Sequence, residues 1–260
     1  MLRHLARPSQ TAGVLHLSTV VSSVSIHSDR IFLTTSRRTI PADAVILTIP
    51  LGCLQRSTVI FNPPLPQHVQ SAIANLGVGN LEKLFLKFEH NWWSSTSSDP
   101  PEIYTFLPPR TLPPTAPRQL LTMFSLANLP VNSQSVFGVY LAGAWSTYLT
   151  SQSPMSVIDL FQTHYFPLLP GYKPEFKIVD AYCTDWTNDP FSYGSYAHVP
   201  VGSVNGVDDL RVLGEKIVGE GGGGLWFAGE HAGTGDLATV NGAMTSGMLA
   251  ANDVLASLGE

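Results

Sequence analysis

LWFAGEHAGTGDLATVNGAMTSG, at residues 225–247, combines three patterns that together predict a strand, a loop and a helix. A short apolar run of strand length opens it, and a polar, glycine-rich crossing follows up to Thr239. Apolar residues then recur at helical spacing from Val240 to Leu258. Small residues in the first helical turns let a ligand or another backbone approach closely, and a helix N-terminus offers free N–H groups to an anion.

The rest of the sequence predicts further strands and helices. The run AVILTIP at residues 44–50 is continuously apolar, as in a strand buried on both faces of a parallel sheet. Residues 83–88 alternate strictly, which predicts a half-buried strand with Lys83, Phe85 and Lys87 on one face. Other predicted elements are strands at residues 14–17, 20–26, 31–35, 120–126, 136–142 and 177–182, helices at 68–76 and 156–166, a turn at 28–30 and a proline-rich loop at 100–118.

The composition is that of a globular protein. The chain has 260 residues, of which 44% are apolar and 13% charged, and its formal net charge is −5. The length suits one large domain or two small ones, and the composition excludes disordered, collagen-like and coiled-coil chains. The mildly acidic balance argues against a general nucleic-acid-binding surface, and no apolar stretch of about 18 residues is present to span a membrane. Two cysteines, Cys53 and Cys183, fit a reducing compartment.

The start of the chain has two interpretations. Residues 1–28 carry Arg3 and Arg7 but no acidic residue, which loosely resembles a transit peptide. The alternative is that strands begin at Val14. A chain that begins almost directly with a strand is also expected when a preceding segment is missing.

Several classes of catalytic site are excluded because their motifs do not occur. The eight histidines include no pair at i,i+3 or i,i+4, so no metal site is predicted. Neither G-x-S-x-G nor the phosphate-binding G-x-x-x-x-G-K-[ST] is present. Two strings match the dinucleotide fingerprint, at residues 219–224 and 233–238. The first precedes a strand and the second leaves too little chain for a complete unit, so neither is expected to bind a dinucleotide.

Four segments carry the motifs of one enzyme family in the same order along the chain. They are DAVILTIPLG at residues 43–52, GVGNLEK at 77–83 followed by WW at 92–93, WTNDPFSYGSY at 186–196, and FAGEH at 227–231 with ATVNGAMTSG at 238–247. Together they resemble the flavin-dependent amine oxidases, which include the polyamine oxidases, the monoamine oxidases and the flavin-dependent lysine-specific histone demethylases. The resemblance covers only the C-terminal portion of that family.

The resemblance implies an α/β fold with an α+β substrate domain. Residues 1–60 and 215–260 are expected to form a partial, Rossmann-like FAD-binding domain, and residues 61–214 a substrate-binding domain built on a mixed sheet. The N-terminal unit that carries the G-x-G-x-x-G fingerprint, and that holds the adenosine diphosphate part of the cofactor, is missing from the sequence.

The implied activity is oxidation of an amine, of the polyamine or lysine type, by hydride transfer to noncovalent FAD with dioxygen as the acceptor. One alternative is a truncated, non-catalytic module that needs a partner chain to supply the missing unit. Another is a protoporphyrinogen- or carotene-type member of the wider flavin superfamily, against which the Lys83 strand argues. The expected partner is an amine substrate, and in the first alternative also the chain that supplies the missing unit. No direct nucleic-acid or membrane partner is expected. The expected location is intracellular, either cytoplasmic or nuclear.

The resemblance also assigns a catalytic lysine and several cofactor contacts. Lys83 matches the lysine that holds a water near the flavin N5 and assists reoxidation, and desolvation would suit it to proton handling. The alternative is a solvated lysine on a strand face. Glu230 is expected against the ribityl or phosphate region, or else as a loop-capping acid. Further cofactor contacts are expected from Val21, Thr48, Pro50, Gly229, Thr239 and Val240, the last two against the pyrimidine end of the flavin unless their helix is a plain core helix.

The substrate side of the site is implied by the segment at 186–196. Trp186, Phe191 and Tyr196 are expected to line the aromatic surround of the flavin, with core packing as the alternative, and Tyr196 to form one wall around the substrate nitrogen. The position of the second wall holds Asp236, which could instead pair with a cationic amine. Ser195 stands where monoamine oxidases carry a cysteine bonded to the flavin, so a noncovalent flavin is expected.

Overall fold

The computed structural model describes residues 2–27, 30–93, 102–127, 135–218, 224–233 and 235–259. The predicted turn at 28–30 and the glycine-rich loop at 219–224 lie largely outside the described residues. The chain forms two compact units, one comprising Met1–Gly77 with Ala197–Glu260 and the other Val78–Tyr196. None of the described helices is long and apolar enough to cross a membrane.

The elements follow one another along the chain as mixed helices and strands. In chain order they are α1 (Leu2–Thr11), β1 (Val21–Ile26), β2 (Ile31–Thr35), β3 (Thr39–Ala42), β4 (Ala44–Leu47), α2 (Leu51–Gln55), β5 (Ile60–Asn62), α3 (Gln67–Asn75), β6 (Gly77–Val78), β7 (Leu81–Phe88), β8 (Ile103–Phe106), β9 (Leu121–Ser125), β10 (Val136–Ala142), α4 (Ala144–Thr150), α5 (Pro154–His164), a 3₁₀ turn (Phe166–Leu168), β11 (Ile178–Cys183), β12 (Ala197–His198), α6 (Asp208–Leu213), β13 (Lys216–Val218), β14 (Gly224–Phe227) and α7 (Val240–Leu258).

The first unit contains the predicted strand, loop and helix. Strand β14 pairs in parallel with β4 and antiparallel with β13. Leu225 lies opposite Val45, and all three of these elements supply apolar side chains to the interior. Helix α7 packs on this sheet, with Ala250 against Trp226 and Ala228. A second sheet has the order β3-β2-β1-β5 and joins β1 to β5 in parallel.

The first unit also includes residues 61–77 and 197–214, which lie outside the domain ranges 1–60 and 215–260 expected from the sequence. Helix α3 packs against α6. The Gln55 side-chain amide donates to the carbonyl oxygens of Ile73, at 2.9 Å, and Leu76, at 2.7 Å. These contacts tie the end of α3 to α2 within the same unit.

The second unit is built on a five-stranded sheet of order β11-β7-β10-β9-β8. Its pairings are antiparallel, whereas a mixed sheet was expected for this domain. The mixed sheets that the structure describes, with their parallel pairs, lie in the first unit. The core on one face is aromatic and fully buried, with Phe88, Trp93, Phe137 and Phe166 in mutual ring contact. Helix α5 covers part of this core through Val157 and Phe161.

Two sequence predictions at the level of secondary structure are wrong. The proline-rich segment 100–118 contains strand β8, because its prolines flank the proline-free residues 103–106 and an edge strand needs hydrogen-bond donors on one side only. Residues 14–17 form no strand, and helix α1 precedes them instead. All four residues of that short run are exposed, so its apolar side chains do not mark a buried face.

Candidate functional site

Lys83 lies on strand β7, whose side chains alternate between a buried and a more open face. Glu82, Leu84, Leu86 and Phe88 are buried, whereas Lys83 is half-buried. This confirms the alternation predicted from the sequence. The Lys83 Nζ donates a hydrogen bond to the Tyr196 hydroxyl at 3.2 Å and lies 5.6 Å from the centre of the tyrosine ring. These two distances place the ammonium group beyond the hydroxyl, at the polar end of Tyr196 and not over the face of its ring.

Tyr196 is held near Lys83 by hydrogen bonds between its own segment and the residues before β7. The Gly79 N–H donates to the Tyr196 carbonyl oxygen at 2.7 Å, and the Ser195 N–H donates to the Gly79 carbonyl oxygen at 2.9 Å. The Ser195 hydroxyl accepts from the Leu81 N–H and donates to the Gly79 carbonyl oxygen, both at 2.9 Å. Ser195 thus has a clear structural task, and its predicted place beside a flavin stays a prediction.

Gly194 makes this close approach of the two segments feasible. Its φ is +142°, a region that L side chains rarely adopt, and a Cβ at this position would overlap the Val78 side chain. Any larger residue at position 194 would push the Ser195–Tyr196 pair away from the start of β7.

A buried carboxylate, Glu82, is the main feature of this unit that the sequence analysis missed. Glu82 is fully buried and has four donors. Its Oε2 accepts from the Thr184 hydroxyl at 2.6 Å and the Trp186 N–H at 3.1 Å, and its Oε1 accepts from the Thr187 N–H at 3.1 Å and the Thr187 hydroxyl at 3.0 Å. A charged residue in phase with Leu84, Leu86 and Phe88 was the available signal.

The aromatic residues predicted around the flavin are exposed in the described structure. The exposed fractions are 42% for Trp186, 71% for Phe191 and 37% for Tyr196. Core packing, the alternative interpretation of these three, is therefore wrong. Their contact with a flavin or a substrate stays a prediction.

Glu230, in the first unit, is half-buried and lies three residues after the end of β14. Its carboxylate accepts the Ala197 N–H, which lies 3.1 Å from Oε1 and 3.3 Å from Oε2. Burial raises the pKa of Glu230, and hydrogen bonds from the backbone N–H groups of Ala197 and Ala238 offset part of that rise. The contact fits the alternative of an acid that binds a loop backbone, and a carboxylate so placed can also accept from sugar hydroxyls.

The adjacent His231 is a second feature that the sequence analysis did not select. Its ring is buried, and Nε2 has no hydrogen-bond partner among the described residues. Burial lowers the pKa of His231 to about 4. The imidazole is therefore neutral over the physiological range of pH.

Gly229 and Ser246 join the end of β14 to helix α7. The Ser246 hydroxyl accepts from the Gly229 N–H at 2.9 Å and donates to the Gly229 carbonyl oxygen at 2.8 Å. Gly229 has a φ of +140°, and a Cβ there would lie 2.8 Å from Cε1 of His231. The backbone at Gly229 is therefore kept free of side chains close to the first turns of α7.

The predicted residues at the start of α7 form its N-terminal cap. The Thr239 hydroxyl accepts from the Gly242 N–H at 2.9 Å and donates to the Asp236 carbonyl oxygen at 2.6 Å. The Asp236 carboxylate accepts from the Asn241 side-chain amide, so this acid is already engaged within the loop. Val240 is exposed. The predicted pairing of Asp236 with an amine stays a prediction.

A concave surface lies between α6 and α7 within the first unit. Its volume is about 470 Å³, and its lining includes Arg211, Gly233, Gly242 and Ser246. Three further predicted cofactor contacts are in the same unit: Val21 is half-buried on β1, Thr48 is exposed after β4, and Pro50 precedes α2. The small residues and the hydroxyl that line the concave surface are of the kind that bind an anionic or sugar-bearing cofactor.

The architecture of the chain is similar to that of a solved protein structure. The structure resembles a chain of a putrescine oxidase variant, solved in a study of structure-based redesign of cofactor binding, with a TM-score of 0.73 and 17% sequence identity. The similarity covers 98% of this chain and 52% of that one. It confirms the fold class predicted from the sequence.

Proteins of similar sequence are longer. The chain is 31% identical over 240 residues to Lysine-specific histone demethylase 1 homolog 1 of Arabidopsis thaliana, which covers 90% of this chain and 26% of that protein. It is 30% identical over 213 residues to Polyamine oxidase 4 of Oryza sativa subsp. japonica, covering 82% of this chain and 39% of that protein. The chain thus spans about a quarter to two fifths of the length of these relatives.

The family profile described as "Flavin containing amine oxidoreductase" matches residues 1–255. That match takes in β7 with Lys83, the segment that ends at Tyr196, and the strand, loop and helix from β14 to α7. The chain therefore belongs to the flavin-containing amine oxidoreductase family.

Proposed function

We propose that the chain is the substrate-binding part, with a portion of the cofactor-binding part, of an FAD-dependent amine oxidase that uses dioxygen as the acceptor. The observation that carries the proposal is the Lys83–Tyr196 pair, with Nζ 3.2 Å from the hydroxyl and 5.6 Å from the ring centre. The names of the relatives, a lysine-specific histone demethylase homologue and a polyamine oxidase, support a substrate of the lysine or polyamine type.

Lys83 supplies a proton-holding group on the open face of β7. Its Nζ donates to the Tyr196 hydroxyl, and the Lys83 side chain is half-buried rather than freely solvated. From that position we assign it to hold a water and to move a proton. When bound, the flavin supplies the acceptor for two electrons from the amine.

Tyr196 supplies an aromatic face for a cationic group. The Lys83 ammonium lies beyond the hydroxyl rather than over the ring, and the Tyr196 side chain is exposed, so an alkylammonium group of a substrate can approach the ring face. Trp186 and Phe191, both exposed on the same segment, are proposed to extend this aromatic surface toward substrate and cofactor.

Residues of the first unit are proposed to hold the flavin noncovalently. Gly229 and the capped N-terminus of α7, with Thr239 and Val240, present backbone to it, and Glu230 accepts from sugar hydroxyls. Val21, Thr48 and Pro50 supply the remaining contacts. The noncovalent assignment depends on Ser195, whose hydroxyl is bound to backbone groups and is less nucleophilic than a thiolate.

The second candidate is a module without activity of its own. The sequence lacks a strand–turn–helix unit with the G-x-G-x-x-G fingerprint, and the relatives are longer than the chain. In this proposal the unit is supplied in the same polypeptide or by a partner chain. A cytoplasmic or nuclear location is proposed for either candidate.

The experiment that tests the proposed activity measures flavin absorbance and amine-dependent peroxide. The chain is purified alone and after co-expression with the fingerprint-bearing segment of a polyamine oxidase. We expect little retained flavin for the chain alone, and peroxide formation from a polyamine or a methylated lysine peptide for the pair. Failure of the pair to form peroxide while it retains flavin would support the non-catalytic module.

A matched pair of lysine variants ties the activity to the proposed site. Lys83→Met removes the proposed proton-holding group, and Lys87→Met makes the same change on the exposed part of the same strand face. Peroxide formation should fall in the first variant and persist in the second. Equal effects in both variants would contradict the role of Lys83.

A further inference from the structure

We propose that Glu82 is a positioning residue whose buried carboxylate sets the geometry of the Lys83–Tyr196 pair. The proposal rests on the proposed role of Lys83. Glu82 and Lys83 are neighbours on β7, so their side chains point to opposite faces of the sheet. Glu82 therefore does not touch the pair itself and acts through the backbone that carries it.

The first link joins the carboxylate to the segment after β11. Each oxygen of Glu82 accepts two hydrogen bonds, from a backbone N–H and a hydroxyl, and the four donors belong to Thr184, Trp186 and Thr187. A buried carboxylate is costly unless it is hydrogen-bonded, and here the donors fill both oxygens. The carboxylate thus fixes residues 184–187 against β7.

The second link joins the same segment to the backbone of Lys83. The Thr184 hydroxyl, which donates to Glu82, also accepts from the Lys83 N–H at 2.8 Å. The Thr184 N–H donates to the Lys83 carbonyl oxygen at 2.9 Å. Thr184 therefore binds both backbone groups of Lys83 while the carboxylate orients its hydroxyl.

The third link runs from Trp186 to Tyr196. The Trp186 carbonyl oxygen accepts from the Gly194 N–H and from the Ser192 hydroxyl, both at 2.8 Å. Gly194 is followed by Ser195 and Tyr196, both of which form hydrogen bonds with Gly79, just before β7. Both members of the Lys83–Tyr196 pair are in this way attached to one carboxylate.

The chemistry of the donors explains why a carboxylate, and not an amide, suits this position. All four partners donate, and a carboxylate can accept from all of them. In Glu82→Gln the side-chain NH₂ group replaces one of the two oxygens. It is itself a donor, so the backbone N–H that it faces loses its acceptor. The size of the side chain hardly changes, so the variant tests hydrogen bonding rather than volume.

Hydrogen exchange of the purified chain tests the links without any need for cofactor. Glu82→Gln and Thr184→Val should each raise exchange at the backbone amides of residues 186–196 by about tenfold, the change that corresponds to ~1.4 kcal/mol. Thr184→Ser keeps the hydroxyl and should restore slow exchange. Thr105→Val removes an exposed hydroxyl at the far edge of the same sheet, where it meets Thr122, and should leave residues 186–196 unchanged.

Acylation of lysines, read by mass spectrometry, tests the effect on the pair. In Glu82→Gln and Thr184→Val the ratio of Lys83 to Lys87 modification should rise, because Lys83 loses its fixed partner while the exposed Lys87 does not change. Thr184→Ser should keep the wild-type ratio. If Glu82→Gln does not fold, the two Thr184 variants make the same comparison.

The outcomes separate this inference from the proposed function. Unchanged exchange at 186–196, or faster exchange with an unchanged Lys83 ratio, would overturn the positioning role. A raised ratio in Glu82→Gln, together with unchanged peroxide formation in Lys83→Met, would uphold the positioning of Lys83 and refute its proposed function. A raised ratio with a loss of peroxide formation in Thr184→Val that Thr184→Ser restores supports both.

Discussion

Acid should destabilise this chain through His231. The imidazole is buried, and burial lowers its pKa from 6.5 to about 4. The unfolded chain therefore takes up a proton at this residue near pH 6.5, whereas the native chain resists protonation down to about pH 4. The stability linked to His231 is fully present above pH 6.5 and is lost as the pH falls toward 4.

The two pKa values fix the size of the effect. Between pH 7.5 and pH 4.5, the linkage relation gives a loss of about 2.5 kcal/mol in the free energy of unfolding from this one residue. The neighbouring Glu230 acts in the opposite direction, because burial raises its pKa and its neutral form is favoured in the native state. That contribution is shared by wild type and variant and largely cancels from their difference.

The assay is urea unfolding at the two pH values for wild type and His231→Leu. Because Nε2 has no partner among the described residues, leucine leaves no donor or acceptor newly unpaired, and stability at pH 7.5 should change little. The variant should lose about 2.5 kcal/mol less than wild type on acidification. His16→Leu, which removes an exposed ring, controls for the introduction of leucine. An acid loss in His231→Leu as large as that of wild type would refute the reasoning.

Three further predictions concern the proposed site. Lys83→Met should slow reoxidation of the flavin much more than its reduction by amine, as followed by stopped-flow absorbance of the assembled protein. Equal effects on both half-reactions would favour the alternative that Lys83 is only a solvated residue on a strand face. Acid precipitation of that protein should leave flavin in the supernatant, because Ser195 has no thiol to bond it, and flavin fluorescence on a denaturing gel would contradict this. Thr239→Ala should lower the free energy of unfolding by about 1 kcal/mol, since the Gly242 N–H loses its cap, whereas Thr239→Ser should retain it in the same urea titration.

The central elements of the first unit could be predicted because their sequence patterns have one physical meaning. Residues 44–47 and 224–227 are continuously apolar, and they pair in parallel in the interior. The helical spacing from Val240 onward gives α7 an inward side that includes Ala250 and an outward side that includes Met248. Parallel pairing, and the burial of β14 on both faces, leave little freedom for another arrangement.

Other features could not be predicted from the sequence because they depend on contacts between residues far apart along the chain. Strand β8 is defined by its pairing with β9, and the surrounding prolines gave the opposite signal. The burial of Glu82 depends on donors about a hundred residues further along the chain, which no local pattern reports. The Lys83–Tyr196 contact is equally distant, and only the resemblance brought the two residues into one site.

Glu82 and His231 are both buried, ionisable neighbours of proposed functional residues, but they differ in their hydrogen bonding. Glu82 adjoins Lys83 and has four donors, whereas His231 adjoins Glu230 and its Nε2 has no partner among the described residues. Removing one side of a satisfied buried network leaves the other side unpaired, at a cost of about 1–3 kcal/mol for each group, but removing an unpaired polar atom leaves nothing behind. An apolar residue should therefore be tolerated at position 231 and not at position 82. The strand that carries Lys83 therefore depends on the hydrogen bonds of Glu82. The loop that carries Glu230 depends mainly on the volume that the His231 side chain fills.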